Sequence, residues 1–137
     1  MPINLQIKVQ LSSMSTREKA EALMKTKEWI LSLVEWEKFH ETASIEEKDP
    51  NSFHDMGICK FNCGRIKEAI SDLDRAAELQ PDYGYRFAAR GWMKQSMGDT
   101  TGAIADYKKA IELDPSDIYT QNNLIILEDK HNKKSRN

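Results

Sequence analysis

A period of 34 residues between Pro50 and Asp117 constrains this chain more than any other feature it has. Shifting the sequence by that period sets Phe53 on Phe87, Gly57 on Gly91, Lys60 on Lys94 and Gly64 on Gly98. The register continues with Ala69 on Ala103, Ile70 on Ile104, Asp72 on Asp106 and Ala76 on Ala110. Glu78, Leu79 and Pro81 then meet Glu112, Leu113 and Pro115. Ordinary residue frequencies give roughly two identities in such a window, and the eleven found here make the repeat real. A period of this length belongs to stacked supersecondary units, each burying its apolar face against its neighbours rather than closing a core of its own.

Within each unit the spacing is helical. Phe53, Met56, Gly57 and Lys60 fall on successive turns of a first helix, which Gly64 ends by supplying left-handed backbone. Ile66, Ala69, Ile70, Leu73, Ala76, Ala77 and Leu79 give a second helix one continuous apolar face, and Pro81 stops it. Phe87, Gly91, Gly98, Ala103, Ile104, Tyr107, Ala110, Ile111, Leu113 and Pro115 repeat the plan. Gly57 with Ala69, and Gly91 with Ala103, sit where two antiparallel helices cross, and small side chains there let the axes approach to about 8–10 Å.

These residues resemble the tetratricopeptide repeat, whose pattern runs aromatic, Leu-Gly, aromatic, Ala, aromatic, Ala, Pro. The matching positions are Phe53, Met56-Gly57, Ala69, Leu73, Ala76 and Pro81, then Phe87, Gly91, Ala103, Tyr107, Ala110 and Pro115. Lys60 and Lys94 stand where the pattern has its second aromatic, and Arg90 stands where it has Leu. The resemblance implies an all-α fold, an α-α superhelix with a repeat at 50–83 and another at 84–117.

The flanks extend the stack. Asp114-Pro115-Ser116-Asp117 reads as a helix start, and 118–137 carries Leu124, Ile125 and Leu127 before a basic tail from Lys130 to Arg136. The expectation for it is a capping helix over the last repeat. Ser15-Thr16-Arg17-Glu18 is a capping box, followed by Ala20, Leu23, Met24, Trp29, Ile30, Leu33, Trp36 and Phe39. Residues 15–49 therefore form a degenerate helical unit, with Ala20 at the small-residue place. No Gly or Pro marks a turn inside it, so one long helix competes with two. Residues 1–14 differ in kind: Ile3, Leu5, Ile7, Val9 and Leu11 alternate with polar residues as in a half-buried strand. Such a strand pairs with a second copy, lies along the helices, or stays loose.

Composition closes off several functions. In 137 residues with 39% hydrophobic and 31% charged content, a net charge of −2 gives no footprint for nucleic acid or an acidic membrane surface. No apolar run approaches a membrane span, and no export leader opens the chain. Two cysteines, Cys59 and Cys63, make no disulfide framework and point to a reducing cytoplasm. With His54 they supply three metal ligands of the four a structural zinc wants, so no metal or other cofactor is expected. Neither a phosphate loop nor a nucleophile elbow occurs, and no catalytic residues are assigned.

Stacked helix pairs curve around a concave surface. The resemblance implies that the second, fifth, ninth, twelfth and thirteenth residues of each unit line it. These are Asn51, His54, Ile58, Phe61 and Asn62, then Tyr85, Ala88, Trp92, Gln95 and Ser96, with Tyr119, Asn122 and Ile126 on the terminal helix. Aromatic residues concentrated on one exposed face are what binding surfaces use. Some members clamp a chaperone's C-terminal carboxylate with Lys, Asn and Arg. With Pro50 opening the first repeat, those places hold His54, Ile58, Ala89, Tyr119 and Asn123, which include no cation. The expected function is a non-enzymatic adaptor that binds a peptide segment of a partner protein in its groove. The alternative is a self-assembling subunit, a homodimer joined through the N-terminal strand.

Overall fold

The computed structural model describes residues 13–136, which form seven helices among the described residues. They are α1 (Thr16–Lys25), α2 (Trp29–Thr42), α3 (Pro50–Asn62), α4 (Ile66–Leu79), α5 (Gly84–Ser96), α6 (Thr100–Leu113) and α7 (Ile118–Arg136). The principal packing contacts join helices adjacent in sequence, as in a solenoid. The alternating N-terminal segment lies outside the described residues.

Among the described residues, four of the seven helices start on a side-chain cap. Ser15 Oγ accepts from the Glu18 N–H while Glu18 Oε1 accepts from the Ser15 N–H, completing the capping box of α1. Asp49 caps α3 by accepting from the Ser52 N–H at 2.9 Å, ahead of Pro50 at the first turn. Asp99 and Asp117 do the same for α6 and α7 through the N–H groups of Gly102 and Thr120.

The turns inside the three helix pairs share one geometry. Gly64 and Gly98 have φ of 83° and 88°, and the residue after each donates back to Lys60 O and Lys94 O. In the first pair Lys27 takes the place of these glycines, at φ 58°, and Glu28 N–H donates to Leu23 O at 2.9 Å. Residues 15–49 therefore hold two helices, not one, and the turn is hidden in the sequence because a lysine occupies the left-handed position.

Three apolar clusters run along the stack. Ala20, Leu33, Trp36, Phe39, Met56 and Cys59 join the first pair to α3. Ala69, Leu73 and Met93 join α4 to α5, and Ala103, Tyr107 and Leu127 join α6 to α7. The small residues set the crossings: a Cβ on Gly57 would lie 2.5 Å from Leu73 Cδ2, and one on Gly91 would lie 2.9 Å from Tyr107 Cδ1.

The cations that depart from the family pattern have carboxylate partners. Lys60 Nζ is 2.9 Å from Asp72 Oδ2, and Lys94 Nζ is 3.1 Å from Asp106 Oδ2. Arg90 grips Asp106 through two nitrogens, at 2.7 and 2.9 Å, and reaches Asp74 with a third. Asp72 and Asp106 thus do not lie on solvated faces, where helical spacing alone would put them. They sit at the helix crossings, opposite the cations that replace aromatic and aliphatic residues.

Candidate functional site: a ring-lined hollow between α3, α5 and α7

One turn of α3, the length of α5 and the first turns of α7 enclose a hollow of about 310 Å³. Ile58 forms one wall, Tyr85, Ala88, Ala89 and Trp92 the second, and Asp117, Tyr119, Thr120 and Asn123 the third, with Tyr107 of α6 also lining it. Five apolar or aromatic groups that the family resemblance assigned to the inner face, Ile58, Tyr85, Ala88, Trp92 and Tyr119, are brought together here. Tyr85, Trp92 and Tyr119 remain 54%, 45% and 75% exposed, so large ring faces stand in water.

The other assigned residues occupy different situations. Phe61 packs against Trp92 with ring centroids 4.4 Å apart, supporting the indole from behind. His54 is buried and stacks beneath Tyr85 at 4.6 Å, with the rings 15° from parallel. Among the described residues neither of its ring nitrogens has a hydrogen-bond partner, and burial together with the nearby Arg86 charge lowers its pKa to about 4. Asn51 Oδ1 accepts from Arg86 Nη2 at 2.6 Å, and Gln95 Oε1 accepts from the Tyr107 hydroxyl at 2.7 Å. Asn62 Nδ2 donates to Ile58 O within its own helix. Asn122 is exposed on α7, while its neighbour Asn123 lines the hollow.

The inner-face positions that the resemblance implies leave out a polar cluster beside Tyr85. Asp55 lies one turn before Ile58 on α3, with burial and then the Glu21 carboxylate pushing its pKa up to about 6. Arg86, almost fully buried, donates to Gln80 and Asn51 and stacks 5.0 Å over the Tyr83 ring. Asp55's spacing from Ile58 was readable, but its lack of a direct partner among the described residues depends on where Arg17 and Arg86 point. Cys59 is directed elsewhere: its thiol donates to Ser32 Oγ at 3.4 Å, and burial pushes its pKa up to about 11. Among the described residues no cluster of three His, Cys, Asp or Glu side chains is placed to hold a metal. Nor is any helix among them long and apolar enough to cross a membrane.

Sequence models of the tetratricopeptide repeat match residues 50–83 and 95–124. The chain is 28% identical over 105 residues to the DnaJ homolog subfamily C member 7 homolog of Dictyostelium discoideum, covering 74% of this chain and 20% of that protein. It is 27% identical over 79 residues to Hsp70-Hsp90 organizing protein 2 of Arabidopsis thaliana, covering 56% and 14%. The chain thus spans a fifth or less of the length of these relatives. A solved structure of the first TPR of Spaghetti (RPAP3) bound to the HSP90 peptide SRMEEVD superposes with a TM-score of 0.75. Identity to it is 19%, with 84% of this chain and 89% of that one covered.

Proposed function

The chain belongs to the tetratricopeptide repeat family, and we propose that it is a non-enzymatic adaptor holding an extended segment of another protein in the hollow between α3, α5 and α7. The observation that carries the reading is the set of open ring faces on Tyr85, Trp92 and Tyr119 converging on one concavity. Large aromatic side chains at the centre of a recognition surface contribute most of its binding energy. A structural neighbour that holds a chaperone peptide, and relatives among chaperone-organising proteins, support a peptide as the ligand. The proposed unit comprises the helical pair at 15–49, the repeats at 50–83 and 84–117 and the capping helix with its basic tail at 118–137, working in the cytoplasm without nucleic acid or membrane.

Affinity capture with the intact chain and with Trp92→Ala tests this. A partner that binds the parent should bind Trp92→Ala at least about 2 kcal/mol more weakly, with helical content by circular dichroism unchanged. Equal retention by the alanine variants of Tyr85, Trp92 and Phe61 moves the surface elsewhere. Light scattering separates the other reading: a particle of two or more chains without a partner favours a self-assembling subunit joined through residues 1–14.

A further inference from the structure

Resting on the adaptor reading, we infer that the groove selects a basic segment with an apolar anchor: a bulky side chain enters between Tyr85, Trp92 and Tyr119, and a neighbouring arginine or lysine pairs with Asp55. Asp55 has no hydrogen bond and no ion pair among the described residues, although it is partly withdrawn from water. The charged groups that act on it come from α1, α3 and α5. Glu21 and Arg17 face it from α1, Asp49 from the start of α3, and Arg86 from α5, whose Tyr85 phenol also feels its charge. Both cations are engaged. Arg17 bonds Glu21 and both oxygens of Asp49, and Arg86 is buried on Gln80 and Asn51.

Among the described residues, the hollow offers an acidic ligand no cation. Its described lining holds no lysine or arginine, and the one charged member among those residues is the Asp117 carboxylate, bonded to Thr120. A peptide such as the SRMEEVD carried by the structural neighbour would bring its carboxylates towards Asp117 and Asp55. A cation gains twice in the same place: it pairs with a carboxylate that has no direct ion pair among the described residues, and it lies over open tyrosine and tryptophan faces whose quadrupoles attract positive charge. Arginine, planar and weakly hydrated, fits both better than lysine.

Fluorescence anisotropy on the full chain decides the matter, using short labelled peptides that share a central tryptophan flanked by arginine, alanine or glutamate, with SRMEEVD as a fourth probe. At low salt the arginine-flanked peptide should bind at least about tenfold more tightly than the glutamate-flanked one. That preference should fall to about threefold or less in Asp55→Asn and shrink with added salt. If the peptides bind alike, or the acidic ones bind more tightly, while Trp92→Ala still weakens them, the charge selectivity is wrong and the groove reading stands. If none binds, or binding ignores Trp92→Ala, both are wrong.

Discussion

Lys60 and Asp72 face each other across the α3–α4 crossing with 2.9 Å between Nζ and Oδ2, and their counterparts Lys94 and Asp106 repeat the pair at 3.1 Å. Both Lys60 and Asp72 side chains are 13% exposed. Burial raises the Asp72 pKa more than Lys60 lowers it, so this carboxylate depends on its cation. Lys60→Met should cost about 2–3 kcal/mol in urea unfolding, because it leaves a nearly buried charge unpaired. Adding Asp72→Asn should restore more than half of the loss. Additive losses in the double variant would show that the pair is not coupled.

Lys27→Gly should stabilise the domain. A non-glycine residue in left-handed backbone costs about 1–2 kcal/mol, partly offset by glycine's greater freedom in the unfolded chain. The net gain expected is about 0.5–1 kcal/mol, visible as a melting temperature raised by a few degrees. An unchanged or lower melting temperature would mean that Lys27 is held there by contacts worth as much.

Ala103→Leu should overpack the α5–α6 crossing, where Ala103 is fully buried beside Tyr107. The expected loss is about 1–3 kcal/mol. Exposed Ala105, two residues on, supplies the control: Ala105→Leu should stay within about 0.5 kcal/mol of the parent. Coincident melts for Ala103→Leu and the parent would place the crossing elsewhere.

His54 and Asp55 should give opposite pH dependences. Folding lowers the His54 pKa from 6.5 to about 4, so its contribution is intact above pH 6.5 and is lost as pH falls towards 4. Folding raises the Asp55 pKa from 3.8 to about 6, so its destabilising effect grows as pH rises from 3.8 through 6. Asp55→Asn should therefore add about 1 kcal/mol at pH 7, discounted for its partial exposure, and lose stability more steeply than the parent on acidification to pH 4.5. His54→Phe, which keeps the stack on Tyr85, should lose less than the parent over the same range. Parallel pH profiles for the two variants would contradict the opposed shifts.

The sequence carried the architecture because steric needs recur at fixed spacing: Gly57, Gly91, Ala69 and Ala103 are small for one reason, and Gly64 and Gly98 are left-handed for another. The first turn escaped notice only because Lys27 tolerates a backbone where glycine is the usual sign. Side-chain partnerships were harder to read. The family resemblance put His54, Asn51 and Gln95 on the inner face, but whether such a group meets solvent or a neighbour depends on Tyr85, Arg86 and Tyr107 arriving from other helices. The repeated lysines read as departures from a pattern until Asp72 and Asp106 appeared opposite them.

The bonds from Tyr107 to Gln95 and from Thr120 to Asp117 fix polar side chains that line the hollow before any ligand arrives. A wall whose rotamers are already chosen loses little conformational entropy on association. Binding by such a wall should leave amide exchange in α3 and α5 nearly unchanged. The ordering cost then falls on the incoming segment, and residues that stiffen that segment in extended form should slow its escape more than they speed its capture.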